Sequence, residues 1–168
     1  MSMFCYQCEQ AAHGTGCTSV GVCGKTDETA TLQDLLLHAV KGIAMYADRA
    51  AKLGSTDRDI GVFVIEALFT TVTNVNFDPE RLTALLEEAA AVKKKARELY
   101  EGACAAKDVT RETLAGPALW EPAADQAALL AQGQAASIPT RKEELDENVA
   151  ALTELYTYGL KGAAAYLD

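Results

Sequence analysis

Four cysteines crowd the start of this chain, at Cys5, Cys8, Cys17 and Cys23. Cys5-x2-Cys8 puts two thiolates within reach of one metal centre, a spacing shared by iron–sulfur and zinc sites. Cys17 follows after eight residues and Cys23 after five more. Four thiolates on one compact segment match the four corners of a cubane cluster. The segment is therefore read as an iron–sulfur site with these four cysteines as ligands. A zinc ribbon would show a second Cys-x2-Cys pair, which is missing here. Two disulfides would satisfy the count but not a reducing compartment, and a thioredoxin-like pair needs a βαβ setting that the sequence lacks. Zinc is kept as the alternative. Gly14, Gly16, Gly21 and Gly24 flank the later ligands. They let the backbone turn tightly and bring amide N–H groups near sulfur, which raises a cluster's potential.

Other reactive side chains have plainer readings. Cys104, at the end of a helical stretch, is expected to be a buried structural thiol. His13 lies within the loop and could replace a thiolate in a Rieske-type site. Four cysteines already fill the ligand set, so His13 is read as a surface or outer-shell group. His38 is expected inside a helix, hydrogen-bonded or partly exposed. Trp120 is read as a packing residue. Lys93-Lys94-Lys95 is the only basic run, and nearby Glu87, Glu88 and Glu98 suggest a solvated helix face.

The elements that must hold the loop are helical. The 168 residues suffice for one domain with its own core, and 49% of them are apolar. Alanine and leucine dominate and aromatics are few, which favours helices over sheets. The net charge of −9 argues against nucleic-acid and anionic-membrane roles. No secretory leader and no span-length apolar run is visible, so a cytoplasmic setting is expected.

The predicted fold is all-α: a helical bundle with an N-terminal cysteine-rich loop. Residues 1–30 form the cluster-binding loop and 31–107 a three-helix bundle; 108–139 connect, and 140–168 form the first helix of a second bundle. Thr31 is expected to cap the first helix from Leu32, and Ser55 the second, running to about Val72. Asp78-Pro79-Glu80 starts a third towards Cys104. Ala123 to Ala131 reads as a short helix, with Leu119 and Trp120 packing the connector onto the bundle. Thr140 and Glu143 form a capping box that starts a last helix running to the final residue.

That last helix repeats the first. Leu152, Leu155, Lys161, Gly162, Ala164, Tyr166 and Asp168 mirror Leu32, Leu35, Lys41, Gly42, Ala44, Tyr46 and Asp48 at an offset of 120. Such a repeat implies a second bundle that starts here and is cut off. A homo-oligomer that covers the truncated last helix is a further expectation.

Several motifs together are similar to one family. Met3-Phe-Cys-Tyr-Gln-Cys-Glu-Gln, Thr15-Gly-Cys-Thr and Gly21-Val-Cys-Gly-Lys resemble the opening of the hybrid cluster protein (prismane, hydroxylamine reductase) family. Leu32-Gln-Asp-Leu-Leu, Lys41-Gly-Ile-Ala and Phe69-Thr-Thr-Val-Thr-Asn-Val-Asn-Phe extend the resemblance along the chain. The resemblance implies a [4Fe-4S] cubane on Cys5, Cys8, Cys17 and Cys23, with [2Fe-2S] as the alternative found in longer-spaced members. It also implies a hybrid iron–sulfur–oxygen cluster, where hydroxylamine is reduced to ammonia and nitric oxide reduction has been suggested. The family fold joins a domain of two three-helix bundles to two α/β domains, and carbon monoxide dehydrogenases are relatives.

One departure limits the mechanism. The family's hybrid-cluster ligands are later cysteines, a histidine and glutamates, whereas only Cys104 follows the loop here and no histidine follows His38. The chain is thus expected to be an electron-transfer portion of an oxidoreductase, inactive alone and without catalytic residues of its own. Its expected partners are the remaining domains and a redox protein. The alternative is a structural metal module, with zinc or a static cluster pinning the loop to the bundle.

Overall fold

Capping chemistry sets the layout in the computed structural model, which describes residues 3–73 and 75–167. Helix α1 spans Asp27–Lys52 and starts one turn earlier than expected. Thr26, in extended backbone, accepts the Thr29 N–H at 3.1 Å, and Asp27 and Glu28 complement the helix dipole. Thr31 is not the cap; it lies inside the helix and its hydroxyl accepts from Gln134 Nε2 at 2.8 Å. Helix α2 spans Arg58–Thr70 and is capped by Asp57, not Ser55. The Asp57 carboxylate takes the N–H groups of Asp59 and Ile60 at 2.9 and 3.3 Å. Helix α3, Pro79–Lys107, starts where Asp78-Pro79 predicts and ends on Asp108 in the left-handed region.

The connector is a strap across α1 and α3. It contains a 3-10 turn, Gly116–Leu119, and helix α4, Gln126–Ala135, which is capped by Asp125 and lies later than Ala123 to Ala131. Trp120 is buried in the core as predicted, but Leu119 points outward, and Leu114 and Ala118 fill the space instead. The expected last helix is two. Helix α5, Ile138–Glu144, is capped by Ser137 rather than by Thr140, and helix α6 spans Glu147–Leu167. The chain breaks at Leu145-Asp146, where the Asp146 side chain accepts the N–H of Asn148 at 3.0 Å and restarts the helix.

The architecture is all-α, and among the described residues there is no strand beyond one isolated bridge. The core lies between α1, α2, α3 and the strap, around Leu32, Leu35, Leu36, Ile43, Leu82 and Leu86. Gly42 marks the closest approach of the strap, since a Cβ there would lie 2.2 Å from the Pro117 carbonyl oxygen. Lys93 corrects the solvated-face reading. Its stem is buried, its ammonium donates to the Trp120 carbonyl and pairs with Glu121 at 2.9 Å, and it stands 5.8 Å from the Trp120 ring. Lys94 and Lys95 are exposed as expected. Cys104 is a buried core thiol. No helix among the described residues is long and apolar enough to cross a membrane. Asp168, Asn74, Met1 and Ser2, which enter the repeat, the Phe69–Phe77 motif and the opening of the chain, lie outside the described residues.

Candidate metal centre

The N-terminal loop rests on the turn after α2, on α5 and on the middle of α6. The Gln7 carbonyl accepts from the Tyr158 hydroxyl at 2.9 Å and from the Thr73 hydroxyl at 3.4 Å. Lys142 of α5 sits 5.7 Å above the Phe4 ring. Met3, Cys17 and Ala30 form a small apolar cluster of their own beneath the loop, with Cys5 and Ala12 against it.

Two of the four candidate ligands are held side by side. Cys5 N–H donates to the Cys17 carbonyl at 3.0 Å, and Cys17 N–H donates back to the Cys5 carbonyl at 2.8 Å. This antiparallel pair brings together two thiols that are far apart in sequence. The Ala12 N–H lies 3.4 Å from Cys17 Sγ and points a backbone donor at sulfur. Cys8 is partly buried at the rim of an open groove of about 410 Å³ between the loop and α5 and α6. Cys23 is exposed on a turn where Gly24 N–H bonds the Gly21 carbonyl at 2.8 Å. Gly24 adopts a φ of +89°, which a side chain would strain.

No three His, Cys, Asp or Glu side chains among the described residues converge as a metal-binding group. The donor set nonetheless has the chemistry an iron–sulfur cluster needs. All four thiols are unbridged, one is already faced by an amide donor, and the segment between them turns on glycine. His13 is exposed with a positive φ of 55° and belongs to the turn after Ala12.

Sequence reasoning passed over a polar junction beneath the loop. Asp34 of α1, Glu154 and Lys161 of α6 and Tyr6 of the loop line a cavity of about 20 Å³ together with Cys5. Burial, with Glu154 nearby, pushes the Tyr6 hydroxyl up to about 12. Burial likewise pushes the Asp34 carboxyl up to about 7, against the pull of Arg141 and Lys161. Lys161 is pushed down to about 8 by burial, with Asp34 opposing. Arg141 of α5 donates to Glu154 from Nε at 3.2 Å and from Nη2. His38 and Lys41, further along α1, are both lowered by burial. One signal in the sequence pointed here. Asp34 recurs as Glu154 at the repeat's offset, so both copies send an acid toward one place, while only the second copy's lysine, Lys161, lines the cavity.

Residues 3–168 match the Prismane/CO dehydrogenase family. The chain belongs to that family. It is 52% identical over 164 residues to a hydroxylamine reductase of Rhodospirillum rubrum, covering 98% of this chain and 30% of that protein. It is 49% identical to a hydroxylamine reductase of Geobacter sulfurreducens and 45% identical to one of Halothermothrix orenii, in each case over 100% of this chain and 30% of the relative. The chain thus spans about 30% of the length of the curated relatives it matches. Membership in the Prismane/CO dehydrogenase family bears out the resemblance seen in the cysteine motifs.

Proposed function

We propose that this chain is the iron–sulfur electron-transfer portion of a hydroxylamine reductase, holding a [4Fe-4S] cluster through Cys5, Cys8, Cys17 and Cys23. The observation that carries the reading is the Cys5–Cys17 pair with the Ala12 amide aimed at Cys17 Sγ. When bound, the cluster supplies a one-electron site whose charge is spread over several irons. The chain's own part is to hold four thiolates and to direct N–H donors at sulfur. No acid–base residue is needed for that step, and no catalytic residue is assigned.

The whole protein would use these electrons to reduce hydroxylamine to ammonia at a hybrid cluster. Its ligands lie outside this chain, because only Cys104 and no histidine follow the loop and α1. Its remaining domains would cover the apolar face of α6, where Leu152, Leu155 and Tyr166 stand exposed, and a cytoplasmic redox protein would deliver the electrons.

Iron and sulfide analysis with EPR of the reduced, anaerobically prepared chain tests the reading. A brown protein with matching iron and sulfide, bleached on reduction, is expected, and Cys17→Ser is expected to lose most of the iron. A colourless protein holding zinc would overturn the redox function, and unchanged iron in Cys17→Ser would remove Cys17 from the ligands. Ammonia formed from hydroxylamine by the cluster-loaded chain alone would place the second centre within it.

A further inference from the structure

The junction beneath the cysteine loop buries two lysines, and among the described residues neither has a carboxylate within 4.0 Å. Lys25, two residues after Cys23, is 2% exposed; its ammonium donates to Gln33 Oε1 at 2.7 Å, and Gln33 passes its own N–H to the Asn76 carbonyl at 2.9 Å. Lys161 is 6% exposed. Among the described residues its one hydrogen bond is a long one, to the Thr71 carbonyl at 3.5 Å, and its side chain lines the cavity it shares with Cys5 and Tyr6.

An ammonium has three donors and is costly to bury without a counter-charge. The acids of the cavity do not supply one. Glu154 is already engaged by Arg141, and Asp34, which lines the same cavity, is not within ion-pair distance of either ammonium. Among the described residues the close partners of the two ammonium groups are therefore the Gln33 amide and the Thr71 carbonyl, and Lys161 shares its cavity with the Cys5 thiol. A cluster bound by four thiolates is a net anion and gains one more negative charge on reduction, and nearby positive charge favours the reduced form.

We propose that Lys161, supported by Lys25, is the buried counter-charge of the cluster held at the cysteine loop and raises its reduction potential without ligating it. The proposal rests on the cluster reading above. It also gives α6 a reason to turn a polar face inward: the helix delivers a cation to the floor of the loop.

The test is a redox titration of the reconstituted 168-residue chain, followed by visible absorbance and EPR, with iron measured on every sample. Lys161→Met is expected to bind iron as wild type does and to lower the reduced-to-oxidised ratio at a fixed poise about tenfold, or about 59 mV for a one-electron couple. Lys161→Arg is expected to keep the wild-type potential, and Lys25→Met to shift it in the same direction as Lys161→Met. Should Lys161→Met fail to hold iron, Lys161→Gln carries the same expectation with a side chain that still hydrogen-bonds. Equal potentials in wild type and the neutral variants, at equal iron content, overturn the role of Lys161 and leave the cluster standing. A wild-type chain that takes up no iron overturns the cluster itself, and this role with it.

Discussion

In α1 the repeated leucines and tyrosine point inward, where Leu35 is fully buried and Tyr46 is 7% exposed. In α6 their counterparts face out, with Leu155 66% exposed and Tyr166 94% exposed. The two helices share a sequence pattern and bury different faces of it. Helix α1 is wrapped by α3, α4 and the strap, which offer apolar partners. Helix α6 lies on α2 and α5 and turns Ala150, Glu154, Thr157, Lys161 and Ala164 inward. An amphipathic pattern fixes what a helix can bury, and its neighbours decide what it does bury. In α1 the buried stripe supplies stability; in α6 the buried stripe supplies charge beneath the cysteine loop.

The largest expected effect compares the two leucines directly. Leu35→Ala removes a fully enclosed side chain and should cost about 2–5 kcal/mol, since the packed core closes only partly around the cavity. Leu155→Ala removes an exposed one and should change stability by no more than about 0.5 kcal/mol in the isolated chain. Urea unfolding of both variants measures this. Equal losses would mean that the outer face of α6 is packed in solution, for instance by a second copy of the chain.

The acids at equivalent positions give the next contrast, read through pH. Asp34 is raised from 3.8 to about 7 chiefly by burial, whereas Glu154 has the Arg141 guanidinium beside it. A raised carboxyl holds its proton in the folded state while the unfolded chain releases it, so folding loses stability as pH climbs from about 4 to 7. Removing the acid removes that loss. Asp34→Asn should therefore gain on wild type steadily over this window in thermal melts of the metal-free chain, whereas Glu154→Gln, which breaks the ion pair with Arg141, should lower the melting temperature. A pH-independent difference for Asp34→Asn would show that its carboxyl is solvated and that the junction is open.

How far the sequence could foretell this depends on which physics acts locally. Asp78-Pro79 announced α3 correctly because a capping acid before proline needs only its own neighbours. Thr31 and Ser55 failed as caps because Thr26 and Asp57, a few residues upstream or downstream, offered equally good side chains, and local chemistry alone could not rank them. The break at Leu145-Asp146 was hidden for the same reason, since Asp146 is a better cap than the residues around it are helix breakers. Lys93 read as solvated because its neighbours are charged; only the strap, arriving from Trp120, encloses it. The cysteines were legible as a set from type and spacing. Lys25, Asp34 and Lys161 were not legible as a junction, because α6, more than a hundred residues further along the chain, must meet the loop and α1 before their burial exists.

The smallest expected effect separates the two glycines of the repeat. Gly42 and Gly162 both sit inside helices, where alanine is normally better by about 1 kcal/mol. At Gly162 a Cβ would meet nothing within 4 Å, so Gly162→Ala should raise stability by about 0.5–1 kcal/mol. At Gly42 the same Cβ would stand 2.2 Å from the Pro117 carbonyl oxygen and 2.8 Å from its carbon, both backbone atoms of the strap. The strap cannot yield there by rotating a side chain. It must move as a unit, pulling Ala118 and the buried Trp120 with it and loosening the Lys93 contact. Gly42→Ala should then cost about 1–3 kcal/mol, the range for forcing an extra methyl into a packed site. Thermal melts of the two variants should move in opposite directions from wild type. If both rise, the strap does not press on α1, and the enclosure that distinguishes α1 from α6 is looser than its geometry indicates.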